Sequence, residues 1–231
     1  MFADYNSLQL YLNRRKGDIT YSVSYTLSKA TGNASGNGDN VEAGITIADA
    51  ADDYLVGPTS YDRRHVLLTT WTYRVPFLSG QRGLAAQLLG GWEVSGKTRW
   101  QSGEYLTPDG STSIGSRRAD YLGGEIGLPS GERSEDQWFN TDVFATAPND
   151  RRGNAEKGMI EGPHLYTWDL SLRKNFPVTD RVRLALRAEI FNVFNRVNFQ
   201  NPENTVTSNS YGQISSTRPP RQTQLSFRVE W

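Results

Sequence analysis

Apolar and polar residues alternate with a period of two along much of the chain, and helical periodicity is scarce. Ile19, Tyr21, Val23, Tyr25 and Leu27 alternate with Thr20, Ser22, Ser24, Thr26 and Ser28. Trp92, Val94 and Trp100 share one face, opposed by Glu93, Lys97, Arg99 and Gln101. Tyr166, Trp168, Leu170 and Leu172 oppose Thr167, Asp169, Ser171 and Arg173. Val182, Leu184, Leu186, Ala188 and Ile190 oppose Arg183, Arg187 and Glu189. At the end of the chain, Thr223, Leu225, Phe227, Val229 and Trp231 alternate with Gln222, Gln224, Ser226, Arg228 and Glu230. A strand turns successive side chains to opposite faces, so each stretch predicts a strand with one apolar face. YNSLQLYLNRR and RRHVLLTTWTYRVP read as strands with less tidy faces, which brings the number to about seven.

Strands of this length are roughly twice the usual soluble strand and match the ~9–11 residues that cross a bilayer at a tilt. The connections sort by length. RKGD and FPVTD are tight and FLSGQRGLAAQLLG is intermediate, whereas the stretches 30–60, 104–164 and 196–220 are long. Short turns at one end and long loops at the other describe an outer-membrane barrel. Trp92 and Trp100 lie eight residues apart on one face, on the order of 19 Å of depth for a tilted strand. Trp168 and Phe176 repeat that spacing. Two aromatic girdles would produce it, with Trp92, Phe176 and Trp231 at the short-turn end. The expected fold is all-β: a long antiparallel meander forming a curved, partial transmembrane barrel with long extracellular loops. The rival is a soluble β-sandwich that binds carbohydrate through exposed aromatics, its apolar faces packed on each other.

Composition narrows the chemistry. The 231 residues carry 25 basic and 25 acidic side chains, so no charge imbalance points to a nucleic-acid partner. With 36% hydrophobic residues and mean hydropathy −0.60, no run approaches the ~20 apolar residues of a membrane helix. Cysteine is absent, which removes disulfides and thiol chemistry. The start, MFADYNSLQL, lacks the pattern of a signal peptide.

Gly91-Trp92-Glu93-Val94-Ser95-Gly96-Lys97-Thr98 fits the spacing of a phosphate-binding loop. That loop needs a parallel strand before it and a helix after it. Here the residues inside and after the motif alternate as a strand, so nucleotide binding is not expected. His65 and His164 each stand at a loop–strand boundary and could reach a metal with Asp62, but no metal-ligand spacing supports it. Two independent surface histidines are the expectation. Asp49, Asp52 and Asp53 read as a solvated loop, with a Ca²⁺ site as the alternative. No serine sits in a G-x-S-x-G turn, and no enzyme activity, cofactor or resident metal is expected. Asp169, Arg173, Arg183, Arg187 and Glu189 would form a charge network on the polar face.

Taken in order, YNSLQLYLNRR, SYTLSKA, YDRRHVLLTTWTYRVPF, GGWEVSG, QSGEYLTP, WFNTDVFA, LRKNFPV, LRAEIFNVFNRVNFQNP and PRQTQLSFRVEW resemble the C-terminal barrel of TonB-dependent outer-membrane receptors, most of all the Oar-like group. The resemblance covers nearly all of residues 1–231 as a single barrel segment. It implies a barrel of more than twenty strands in the cell outer membrane, a plug inside it, and uptake energised by TonB acting through that plug. No plug, TonB box or first strands can be read in these residues. The resemblance further implies outer-membrane lipid and the barrel assembly machinery as partners, with Phe227, Val229 and Trp231 as the assembly signal. It names no transported substrate. The family usually ends on Phe where this chain has Trp231.

Overall fold

The computed structural model describes residues 2–33, 55–77, 83–110, 118–179 and 182–231. Seven long strands form one antiparallel meander: β1 (Ala3–Arg14), β2 (Ile19–Gly32), β4 (His65–Arg74), β5 (Trp92–Gln101), β10 (Leu165–Pro177), β11 (Arg183–Phe191) and β12 (Gln222–Glu230). Each pairs with the next in that order, and β3 (Gly57–Pro58) adds a two-residue rung to β2. All seven expected strands are present, within a few residues of their expected ends. The sheet does not close: among the described residues β1 and β12 each pair on one side only.

The registers join the strands into two continuous faces. Leu8, Leu10 and Leu12 of β1 lie opposite Leu27, Tyr25 and Val23 of β2. Tyr25, Val23 and Tyr21 in turn meet Leu67, Thr69 and Trp71 of β4. Trp71 meets Gly96 of β5, and Trp100, Val94 and Trp92 meet Tyr166, Leu172 and Lys174 of β10. Leu170 and Leu172 face Ile190 and Ala188 of β11, while Leu184, Leu186 and Ala188 face Val229, Phe227 and Leu225 of β12. Because the side-chain period is two, a single-residue slip in any pair would break this stripe. The untidy strands now make sense. Tyr5 and Tyr11 of β1, and Val66 and Leu68 of β4, are the apolar residues that fall on the polar face.

A β-sandwich would cover the apolar face with a second sheet. Among the described residues no such sheet exists, and Leu8, Leu10, Leu12, Leu225 and Phe227 stand exposed. The rival sandwich reading is therefore set aside in favour of the expected curved barrel sheet.

Turns and loops sort by end as expected. Gly17, at φ +79°, makes the tight β1–β2 turn, a conformation that glycine adopts without a Cβ penalty. Val178 and Val182 close the β10–β11 turn by a backbone hydrogen bond of 2.9 Å. The third connection at this end holds a helix that the alternation did not predict, α1 (Leu84–Leu89).

The other end carries a small packed unit. It contains two more ladders, β6 (Tyr105–Leu106) with β9 (Ile160–Glu161) and β7 (Asp120–Tyr121) with β8 (Phe144–Ala145). A 3₁₀ turn, Thr141–Val143, leads into β8. Among the described residues the buried core cluster is here rather than in the long-stranded sheet: Ala119, Phe139, Val143, Phe144, Ala155 and Ile160.

Candidate functional site

Three regions hold the side chains singled out above: the polar face, the apolar face with its two aromatic ends, and the loop unit. On the polar face, hydroxyls link the first strands, with Ser22 Oγ 2.8 Å from Thr70 Oγ1 and Thr72 Oγ1 3.1 Å from Ser95 Oγ. Charges take over from β5 to β12. Arg187 pairs with Glu189 at 2.8 Å and donates to Ser171 Oγ at 3.2 Å. Arg74 pairs with Glu93 at 3.5 Å. The expected network is thus only partly formed. Asp169 accepts the Asn192 N–H at 3.0 Å, fastening the start of the next loop, and Arg173 and Arg183 make no ion pair among the described residues.

The phosphate-loop spacing dissolves in the register. Gly91–Thr98 runs into β5, which lies antiparallel between β4 and β10, and no helix follows. Its second glycine serves packing, because the Trp71 indole lies directly over Gly96.

The apolar face ends in aromatics on both sides. At the long-loop end, the Tyr25 and His65 rings stack at 6.2 Å, and Tyr25 Oη lies 2.8 Å from His65 Nδ1. Trp100 follows at 5.8 Å from His65 and 6.3 Å from His164. Tyr166, Trp168 and Phe194 extend the row at 6.3 and 5.3 Å. The two histidines thus flank one indole and belong to an aromatic row. Among the described residues, no group of three or more His, Asp or Glu could hold a metal. Asp62 is buried and accepts the Ala30 N–H at 2.9 Å. Asp49, Asp52 and Asp53 lie outside the described residues. At the short-turn end, Trp92 and Phe176 gather round Lys174, and Trp231 stands 92% exposed just past β12. Phe227 and Val229 are exposed on the same face as Leu225.

Residues 1–224 match the family model described as an outer membrane beta barrel domain. The chain belongs to that family. No match was found among curated proteins. Membership places the barrel domain in the outer membrane and accounts for a sheet with an exposed apolar face, the buried core cluster among the described residues lying outside its long strands.

Sequence reasoning missed the loop unit of this barrel domain. Segments 102–164 and 192–221 interlock by backbone bonds, from Val206 N–H to Asp109 O, Ile214 N–H to Glu135 O and Trp138 N–H to Gly212 O, at 2.7–2.9 Å. The Phe139 and Tyr211 rings meet edge-on at 5.4 Å. Burial pushes the Tyr211 phenol above its ordinary value. Asp120 accepts two bonds from Arg151, at 2.7 and 2.5 Å, and a third from the Asn154 N–H at 3.1 Å. The Arg151 hydrogen bonds hold the Asp120 carboxyl below its usual range, and the Asp120 carboxylate raises Arg151 in turn. Paired, charge-assisted bonds of this kind are about twice as strong as neutral ones. The one signal for the unit was the density of Gly, Pro, Asn and aromatic residues in the two long stretches.

The loop is joined to the sheet by FNVFN. Asn192 and Asn195 adopt positive φ values of 51° and 50°, a region that Asn enters more readily than most residues. Asn192 also bonds both ways with the Arg196 backbone, at 2.9 and 3.0 Å.

Proposed function

We propose that the barrel domain is the C-terminal part of a TonB-dependent outer-membrane receptor, and that it houses active uptake of a substrate. The observation that carries this reading is an open sheet of seven membrane-length strands, with one predominantly apolar face and a packed loop unit at one end. Open strand edges are costly in hydrocarbon because their N–H and C=O groups lack partners. Both edges therefore call for further strands, as a receptor barrel of larger strand number provides. The order of the receptor-like motifs along the chain supports the same reading.

In this role the apolar face meets outer-membrane lipid, and the polar face lines the interior. The long loops face outside and, with the plug, select the substrate. Phe227, Val229 and Trp231 present the last strand to the barrel assembly machinery. TonB acts through a plug that these residues do not include. No catalytic chemistry and no nucleic-acid partner belong to the proposal.

The test is energetic. Cells with and without the gene encoding this chain are compared for uptake across a panel of radiolabelled solutes. Uptake that requires the gene should cease when TonB is deleted, with the receptor still present in outer-membrane fractions. Gene-dependent uptake that persists without TonB would make the protein a passive pore instead.

A further inference from the structure

Lys174 is a cation on the wrong face. It lies in register with Trp92 and Leu186, between Leu172 and Phe176 on the apolar side of β10, and is 2% exposed. Its Nζ stands 5.3 Å from the centre of the Trp92 ring and 5.0 Å from that of Phe176, and donates to the Gly90 carbonyl. Gly90 is the C-cap of α1, and Trp92 Nε1 donates to the Leu88 carbonyl at 3.3 Å. Two of the helix's last carbonyls, which the helix itself leaves without donors, are thus satisfied by side chains from the apolar face of the sheet. The ammonium also sits at the negative end of the helix.

A six-residue helix does not hold together alone in water, so this clamp determines where α1 lies: against the apolar face, at the short-turn end. Yet α1 does not bury its leucines there. Leu88 is 61% exposed and Leu89 56%, in a helix whose sequence, LAAQLL, has no charged residue. Phe77, a few residues before it, and Val178, in the turn beyond β10, are likewise exposed at this end. The patch continues the sheet's apolar stripe past the ends of its strands.

We propose that α1 is a membrane foot: a short in-plane helix that sets Leu88 and Leu89 into the headgroup region of the bilayer leaflet at the short-turn end, fixed at that depth by Lys174. A charge on a lipid-facing strand is costly at the midplane and far less so near the interface, and the aromatic cage with its carbonyl lets Lys174 stay at that level. The occupant of the patch is phospholipid, because the patch is continuous with the apolar face. The inference rests on that face meeting lipid.

The chain has no cysteine, so once any cysteine elsewhere in the full-length protein is replaced by serine, single cysteines can be labelled with bimane without background. Leu88→Cys, Gln87→Cys and Leu225→Cys variants of the full-length protein are reconstituted into phosphatidylethanolamine–phosphatidylglycerol vesicles. Quenching is read with lipids carrying nitroxide near the headgroup or deep in the chain, and with aqueous iodide. The Leu88 probe should be quenched by the shallow nitroxide and shielded from iodide, and the Leu225 probe by the deep nitroxide. The Gln87 probe should respond more to iodide than the Leu88 probe. A Leu88 probe open to iodide beside a Leu225 probe quenched by deep lipid would overturn the foot alone. A Leu225 probe open to iodide would overturn the lipid-facing assignment itself. Adding Lys174→Met should abolish shallow quenching at Leu88 while leaving Leu225 unchanged, which also reports that the barrel is folded. Unchanged quenching at Leu88 would remove Lys174 from the account.

Discussion

A β-carbon added to Gly96 would fall 2.4–2.6 Å from three atoms of the Trp71 indole, closer than packed atoms approach. The glycine that gave the chain its resemblance to a phosphate loop is there because a cross-strand tryptophan needs the space, a known use of glycine in sheets. Gly96→Leu should cost about 1–3 kcal/mol by overpacking, read as a lower urea midpoint for the refolded barrel, and a variant as stable as the parent would contradict this. The sequence showed the spacing but not the neighbour, because Trp71 lies 25 positions away. Asp120 makes a second case. Its carboxyl is held low in the folded state by Arg151. Its stabilising contribution is therefore present above the unfolded carboxylate range near 3.8 and is lost as pH falls through the folded value. Acidification should loosen the loop unit before the sheet, as faster proteolysis within 118–164 at low pH. Asp120→Asn should already show that faster cleavage at neutral pH, and an unchanged rate would remove the Asp120–Arg151 pair from loop stability.

Strands were the most legible elements, because period-two alternation is a local property and the turn residues between strands are local too. Helix α1 was not legible. Six residues hold less than two helical turns, too few to display a period, and the helix depends on Lys174 from a distant strand as well as on Trp92 just beyond its end. For β12 the two faces can be tested directly. Leu225 lies opposite Ala188 on the apolar side and Ser226 opposite Arg187 on the polar side. Leu225→Arg should lower the yield of heat-modifiable, folded protein in outer-membrane fractions well below that of Ser226→Arg, because the lipid-side charge costs ~2–4 kcal/mol at mid-depth. Equal yields would mean that the faces are not lipid and interior. Deleting Trp231, which no strand neighbour holds, should instead slow insertion and leave the finished barrel as stable as before, measured by pulse-chase and by urea unfolding.

At the scale of the whole molecule, the sorting of connections sets the orientation. The turns at Lys16–Gly17 and next to Pro177 should face the periplasm, and segments 102–164 and 192–221 the outside. An epitope tag at Gly131, on an exposed turn of the loop unit, should be reached by antibody on intact cells, and one next to Val178 only after permeabilisation. The reverse pattern would invert the barrel. Length, alternation and loop asymmetry carried the fold, since each repeats along the chain. The loop unit escaped because its core joins residues as far apart as Phe139 and Tyr211, and nothing periodic marks such a meeting.

That interlocking has a consequence for how such loops change between relatives. The bonds from Val206 to Asp109, from Ile214 to Glu135 and from Asn204 Nδ2 to Thr107 O all cross between the two segments, so neither keeps its shape without the other. Transplanting one segment into a sister barrel would leave half of a core facing foreign residues; transplanting both would carry the whole core across. Recombination that separates the two coding stretches should therefore be purged, and the pair should travel through descent as one heritable block, although a strand, a turn and another strand lie between its halves.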